Sequence, residues 1–81
     1  MENLTIEKIE KNVIKIINEI KNIDNLNPLF YLNDLKFEDL DYIELCLELE
    51  EEYEIFLDEE YVSKLEKIKN LIDYVFEKIN K

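Results

Sequence analysis

Apolar residues recur at intervals of three and four along the first quarter of the chain, which is the spacing of one buried helix face. The pattern predicts a helix from about Thr5 to Ile23, and its apolar face consists of Ile6, Ile9, Val13, Ile16, Ile17 and Ile20. Thr5 is the expected N-cap because its hydroxyl can accept a backbone N–H of the first turn, where Glu7 also suits the helix dipole.

The helical spacing stops between Asp24 and Glu38, where asparagines, aspartates and the single proline predict a long loop. We expect its leucines to hold it against the core; they are Leu26, Leu29, Leu32 and Leu35. Since the chain has no glycine, turns with positive φ are expected to fall on asparagine or aspartate.

A second helix is predicted from about Asp39 to Tyr53, and at about 100° per residue its apolar residues form two groups on nearly opposite sides. The expected core side consists of Tyr42, Leu45, Cys46, Leu49 and Tyr53. The other side consists of Leu40, Ile43 and Leu47, with the acidic Asp41, Glu44, Glu48 and Glu51 beside them. This second side is either an exposed surface or is covered by the loop at 26–35.

Two further helices complete the chain. A brief one is headed by Asp58 and runs through Leu65, and a last one carries apolar residues at helical spacing from Ile68 to Ile79. Their join has no glycine or proline, so whether they are separate stays open. The pattern predicts one all-α domain over residues 1–81, a four-helix bundle of three long helices and one short one, with a long loop between the first two.

The charge of the chain narrows the class of partner. There are 21 acidic and 10 basic residues, so the net charge of −11 favours proteins with a basic surface and a free monomer. Nucleic acid and anionic membranes are poor partners, because they require clustered lysine and arginine. No apolar run predicts membrane insertion, and the lone Cys46 suits a reducing compartment, so we expect a cytoplasmic protein.

Catalytic chemistry is not expected of this sequence. It has no histidine and one serine, Ser63, so the usual triads and imidazole bases are missing. The carboxylates are typical of a solvated helix face, and residues 24–41 lack the ligand spacing and glycine of a calcium loop. We therefore expect no catalytic residue and no specific metal site.

The region around the second helix resembles a known family. Residues 32–53 read LNDLKFEDLDYIELCLELEEEY, and EIFLDEE follows at 54–60. This is similar to acyl carrier proteins, which have an Asp-Leu-Gly turn, an Asp-Ser-Leu attachment motif and an acidic helix ending in Glu-Glu-aromatic. LIDYV at 71–75 resembles the last helix of that family, and the resemblance extends over residues 30–75 without a gap. It implies an acyl-carrier-like fold.

The chain departs from the family pattern in three places. Lys36 stands at the turn glycine, Glu66 and Lys67 stand where a threonine commonly caps the last helix, and Asp39 aligns with the serine that carries phosphopantetheine. An aspartate has no hydroxyl for the phosphodiester, so no cofactor is expected unless Asp39 is an engineered replacement. Asp39 is instead expected to cap the second helix with its carboxylate.

The family resemblance implies that the second helix is the surface that partners recognise. The first hypothesis is therefore an acidic protein–protein interaction module without cargo, and its partner-binding residues are Leu40, Asp41, Ile43, Glu44, Leu47 and Glu48. One alternative is a genuine acyl or peptidyl carrier of fatty-acid or polyketide-type biosynthesis whose serine was mutated. Another is an unrelated acidic helical inhibitor or adaptor.

Overall fold

The computed structural model describes residues 5–80, which form four α-helices and no β-strand. They are α1 (Ile6–Lys21), α2 (Asp39–Tyr53), the short α3 (Glu59–Ser63) and α4 (Ile68–Ile79), and a 3-10 turn at Leu32–Leu35 lies in the long loop before α2. The predicted bundle of three long helices and one short one is confirmed. The chain at 64–67 separates α3 from α4, which the sequence had left open.

The first helix begins and ends close to where the sequence predicts. The Thr5 hydroxyl accepts the N–H of Lys8 at 3.3 Å, so Thr5 is the N-cap. The helix ends two residues before the predicted Ile23, because Asn22 turns to the left-handed region at φ 55° and donates its N–H to the Asn18 carbonyl. Most of the predicted apolar face is buried, but Ile6 is exposed because it lies in the first turn, at the edge of the core.

The core lies between α1, α2 and α4, and its buried side chains are all apolar within the described range. From α2 it takes Tyr42, Leu45, Cys46 and Leu49, as predicted, while Tyr53 is partly buried. The Tyr53 hydroxyl accepts a hydrogen bond from the Asn12 amide at 3.1 Å, which links α2 to α1.

The long loop packs against the start of α4. The Leu32 N–H donates to the Glu66 carbonyl at 2.7 Å, and the N–H groups of Ile68 and Lys69 donate to the carbonyls of Phe30 and Pro28. These two loop carbonyls accept N–H groups that begin α4, which explains how that helix starts without a capping threonine.

The side chains of the loop are only partly in the core. Leu32 and Leu35 are buried and Leu26 is half-buried, but Leu29 is 60% exposed, so the expectation that it holds the loop down is wrong. Leu32 and Leu35 take the inward positions because they lie three residues apart in the 3-10 turn and therefore share one side of it.

Positive φ angles fall on four residues in the described range: Asn22, Asn25, Lys36 and Glu54. The expectation of asparagine or aspartate is right for two of them and wrong for Lys36 and Glu54. Lys36 follows the 3-10 turn and Glu54 follows α2, and these end positions require the left-handed conformation whichever side chain is present.

Candidate functional site

The second side of α2 is open to solvent. Leu40 is 74% exposed and Leu47 is 51% exposed, while Ile43 lies between them and is partly buried. Glu44 and Glu48 are exposed next to this apolar row. The loop at 26–35 does not cover this row, because its backbone forms hydrogen bonds with the start of α4. The alternative of a buried second side is therefore wrong. We call Leu40, Ile43, Glu44, Leu47 and Glu48 the α2 outer face.

Asp41 differs from the other acids that the sequence grouped with this face. Its Oδ2 lies 3.0 Å from Lys21 Nζ and accepts the N–H of Glu38 at 2.9 Å, and its side chain is only 21% exposed. The Glu38 N–H and then the Lys21 ammonium lower the pKa of the Asp41 carboxyl. Its carboxylate is therefore already engaged within the fold.

The N-terminus of α2 is capped differently from the expectation. The cap residue is Glu38, and Asp39 is the first helical residue. The side-chain bond at this end comes from Asp41, which is three residues into the helix and reaches back to the Glu38 N–H. The expectation that the Asp39 carboxylate caps the helix is wrong, because Asp39 lies one position too late to be the cap.

Asp39 lines a shallow cleft between α2 and α3. The other lining residues are Tyr42, Ile43, Glu59, Glu60 and Ser63. Ser63 is the last residue of α3 and lies far from Asp39 along the chain, yet folding brings it to the same cleft. Its Oγ donates to the Glu60 carbonyl at 2.8 Å, as a serine at a helix end often does. No sequence signal could reveal this proximity, because it depends on how α3 crosses α2.

A cleft between α1 and α2 collects further carboxylates. It is lined by Asn12, Lys15, Ile16, Glu19, Glu48, Glu51 and Glu52. Partial desolvation raises the pKa of the Glu48 carboxyl, and the charges of Glu19, Glu44 and Glu51 raise it further. Among residues 5–80 no three acidic, histidine or cysteine side chains are arranged to hold a metal ion.

A second exposed apolar patch lies on the long loop, and the sequence reasoning missed it. Leu29, Phe30 and Tyr31 are exposed there, beside a groove that Ile23 and Leu35 also line. The available signal was the run of three large apolar residues in a loop, because three consecutive side chains cannot all reach a small core. Such a run therefore indicates an exposed apolar patch. Lys67 Nζ lies 5.4 Å from the centre of the Tyr31 ring.

Two other features bear on the class of protein. Burial raises the pKa of the Cys46 thiol to about 12, so this cysteine is a core residue and not a reactive thiolate. None of the helices described between residues 5 and 80 is both long enough and apolar enough to cross a bilayer.

Comparison with known proteins identifies the family. No family model matches the chain. It is 38% identical over 76 residues to the acyl carrier protein of Buchnera aphidicola subsp. Schizaphis graminum. That alignment covers 90% of this chain and 96% of the Buchnera protein. The crystal structure of an acyl carrier protein from Thermotoga maritima superposes with a TM-score of 0.77 at 26% identity, over 99% of this chain and 96% of the other. This chain therefore belongs to the acyl carrier protein family, whose members are carriers and not enzymes.

Proposed function

We propose that this family member docks onto a protein with a basic surface through the α2 outer face and carries no phosphopantetheine. The observation behind the proposal is the exposure of Leu40 and Leu47 beside Glu44 and Glu48, which form no ion pair within residues 5–80, on a helix whose opposite side is core. An exposed apolar row with a charged rim is typical of a protein interface. Glu44 and Glu48 would attract a basic partner and speed its association.

The residues at the α2–α3 cleft do not fit phosphopantetheine. The group is joined to carriers of this family through a phosphodiester to a serine hydroxyl, and Asp39 stands at the aligned position with a carboxylate. A phosphate joined to that carboxylate would be a mixed anhydride, which water cleaves readily. Ser63 is a poor substitute because it lies beside Glu59 and Glu60, whose charges would repel an incoming phosphate.

The absence of cargo can be tested by mass. Incubation with coenzyme A and a broad-specificity phosphopantetheinyl transferase should leave the intact mass unchanged. Asp39→Ser should gain one phosphopantetheine, because it restores the hydroxyl next to an unaltered outer face. Asp39→Ala, which restores no hydroxyl, is the matched control and should stay unmodified.

Two results would contradict this part of the proposal. A phosphopantetheine on the unaltered chain would show that another residue carries the group, and Ser63→Ala would then reveal whether it is Ser63. A natural gene that encodes serine at position 39 would favour the second candidate function, a genuine acyl or peptidyl carrier of fatty-acid or polyketide-type biosynthesis.

Docking can be tested by affinity capture from the source cytoplasm, which is the compartment we propose. Partners held by the unaltered chain should be lost with Leu47→Ala and with Glu44→Lys. Glu77→Lys is the matched control, because Glu77 is exposed on α4, which packs mainly against α1. Partners that bind all four proteins equally would contradict the proposed surface.

A further inference from the structure

The end of α1 is attached to the start of α2 through one lysine. Lys21 is the last residue of α1, and its Nζ lies 3.2 Å from the Lys36 carbonyl and 3.0 Å from Asp41 Oδ2. The same ammonium is 5.8 Å from the centre of the Phe37 ring. Lys21 thus contacts Lys36 and Phe37, which follow the 3-10 turn, and also Asp41 in the first turn of α2.

This ion pair has a different character from the others. In the part of the chain that the structure describes, the remaining pairs join residues four apart on exposed helix surfaces, Lys64 with Glu60 and Lys69 with Asp73. Such pairs contribute little to stability. The Lys21–Asp41 pair joins two helices, and its side chains are only 22% and 21% exposed, so it is less weakened by solvent.

The contacts of Lys21 continue into the core and into the helix end. The Phe37 ring packs on the buried Tyr42, with 5.0 Å between ring centres. Asp41 Oδ2, which Lys21 holds, also accepts the Glu38 N–H. The ammonium of the last residue of α1 therefore contacts the carboxylate that bonds to the N-terminus of α2.

We infer that Lys21 is a positioning residue for the α2 outer face: it fixes the first turn of α2 and occupies the Asp41 carboxylate, so that a basic partner meets Glu44 and Glu48. The inference rests on the proposed docking function and divides its acids into two roles. Glu44 and Glu48 have no ion pair among residues 5–80 and remain available. Asp41 acts through Lys21 and does not contact the partner.

The first test leaves Asp39 in place and needs no partner. Lys21→Met keeps most of the apolar stem and removes the charge, so we expect amide exchange at Glu38, Asp41 and Tyr42 to accelerate several-fold. Lys21→Arg should restore most of the protection. Lys64→Met, which breaks an exposed pair in α3, is the matched control and should leave these amides unchanged. If Lys21→Met does not fold, Lys21→Gln replaces it.

The second test measures recognition of the first turn. In the Asp39→Ser background, Lys21→Met should lower kcat/KM for phosphopantetheine transfer from coenzyme A on the order of tenfold, because small displacements of a reacting group are costly. Lys21→Arg should recover most of the rate. High salt should not correct the Lys21→Met defect, whereas it should mask the defect of Glu44→Lys, which acts through long-range attraction.

The outcomes separate the two proposals. Unchanged amide exchange in Lys21→Met, or faster exchange with an unchanged transfer rate, would overturn the positioning role. If Asp39→Ser accepts no phosphopantetheine while Lys21 is intact, the outer face itself fails. Faster amide exchange in Lys21→Met would then support only the role of Lys21 in joining α1 to α2. Unchanged exchange would overturn that role as well.

Discussion

Lys36 shows at the scale of one residue how a chain without glycine makes a tight turn. It has φ 55° and ψ 45°, a conformation that costs an L-residue about 1–2 kcal/mol. Its carbonyl accepts the Lys21 ammonium, and its N–H donates to the Asn33 carbonyl at 3.3 Å. The contacts around the residue therefore hold it in a conformation that its own side chain disfavours.

Replacing this lysine by glycine should stabilise the fold. Lys36→Gly removes the steric cost at Cβ but adds chain entropy to the unfolded state, so we expect a net gain of about 0.5–1 kcal/mol. Urea denaturation measures the change. Lys36→Ala, which retains Cβ, is the control and should give no such gain. A destabilised Lys36→Gly would mean that the lysine side chain contributes more than its backbone costs.

Asp41 makes stability depend on pH in one direction. Its pKa is lower in the fold than the usual 3.8, so the unfolded chain takes up the proton first as pH falls. The stabilisation from the carboxylate is complete above 3.8 and is lost as pH falls through the lower folded pKa. We expect urea midpoints to fall in that range, and to fall less steeply for Asp41→Asn. Identical slopes would contradict the role of this carboxylate.

At the scale of the element, α2 is the part of the fold that the sequence predicted best. Its bounds agree with those predicted, and its two apolar rows lie as the helical angle requires, one buried and one exposed. Periodicity carries this information because each side of a helix has its own environment. The residues that resemble the family motif also lie on this helix.

Two leucines of α2 that lie two residues apart should respond in opposite ways to the same substitution. Leu49 is fully buried, so Leu49→Ala should cost about 2–5 kcal/mol of unfolding free energy. Leu47 is half exposed, so Leu47→Ala should cost less than about 1 kcal/mol and should instead weaken partner binding. Thermal denaturation of both variants makes the comparison. Equal destabilisation would place Leu47 in the core and remove the docking face.

The contacts of the long loop could not be predicted as well as α2. The sequence identified Leu26, Leu29, Leu32 and Leu35 as a group, but which of them reaches the core depends on the hydrogen bonds between the loop and α4. Such long-range bonds leave no periodic trace. The contacts of Lys21 with Lys36 and Asp41 are of the same kind, since they join residues 15 and 20 positions apart. The sequence therefore located the surface but not the residue that fixes its start.

At the scale of the molecule, part of the excess of acid lies where α1 meets α2, in the cleft that Glu19, Glu48, Glu51 and Glu52 line. Desolvation is the main cause that raises the pKa of Glu48, and Glu19 on α1 and Glu44 and Glu51 on α2 lie close enough to disfavour its ionisation further. A carboxyl with a raised folded pKa destabilises the fold progressively as pH rises from the unfolded pKa, and the loss is complete above the folded pKa. Its effect is thus opposite in sign to that of Asp41: ionised Glu48, on the surface proposed for docking, disfavours the folded state.

Salt should therefore stabilise this protein by screening that repulsion. Between about 0.1 M and about 1 M NaCl the Debye length falls from about 10 Å to about 3 Å, so repulsion across the α1–α2 cleft weakens and Tm should rise. Millimolar magnesium or calcium should act in the same direction if it associates with the folded form. The double variant Glu48→Gln, Glu51→Gln is the control, because it removes two of the charges and should show a higher Tm with a smaller salt response. A flat or falling Tm would contradict the repulsion, and an equal rise in the control would assign it to a general effect of salt on apolar burial.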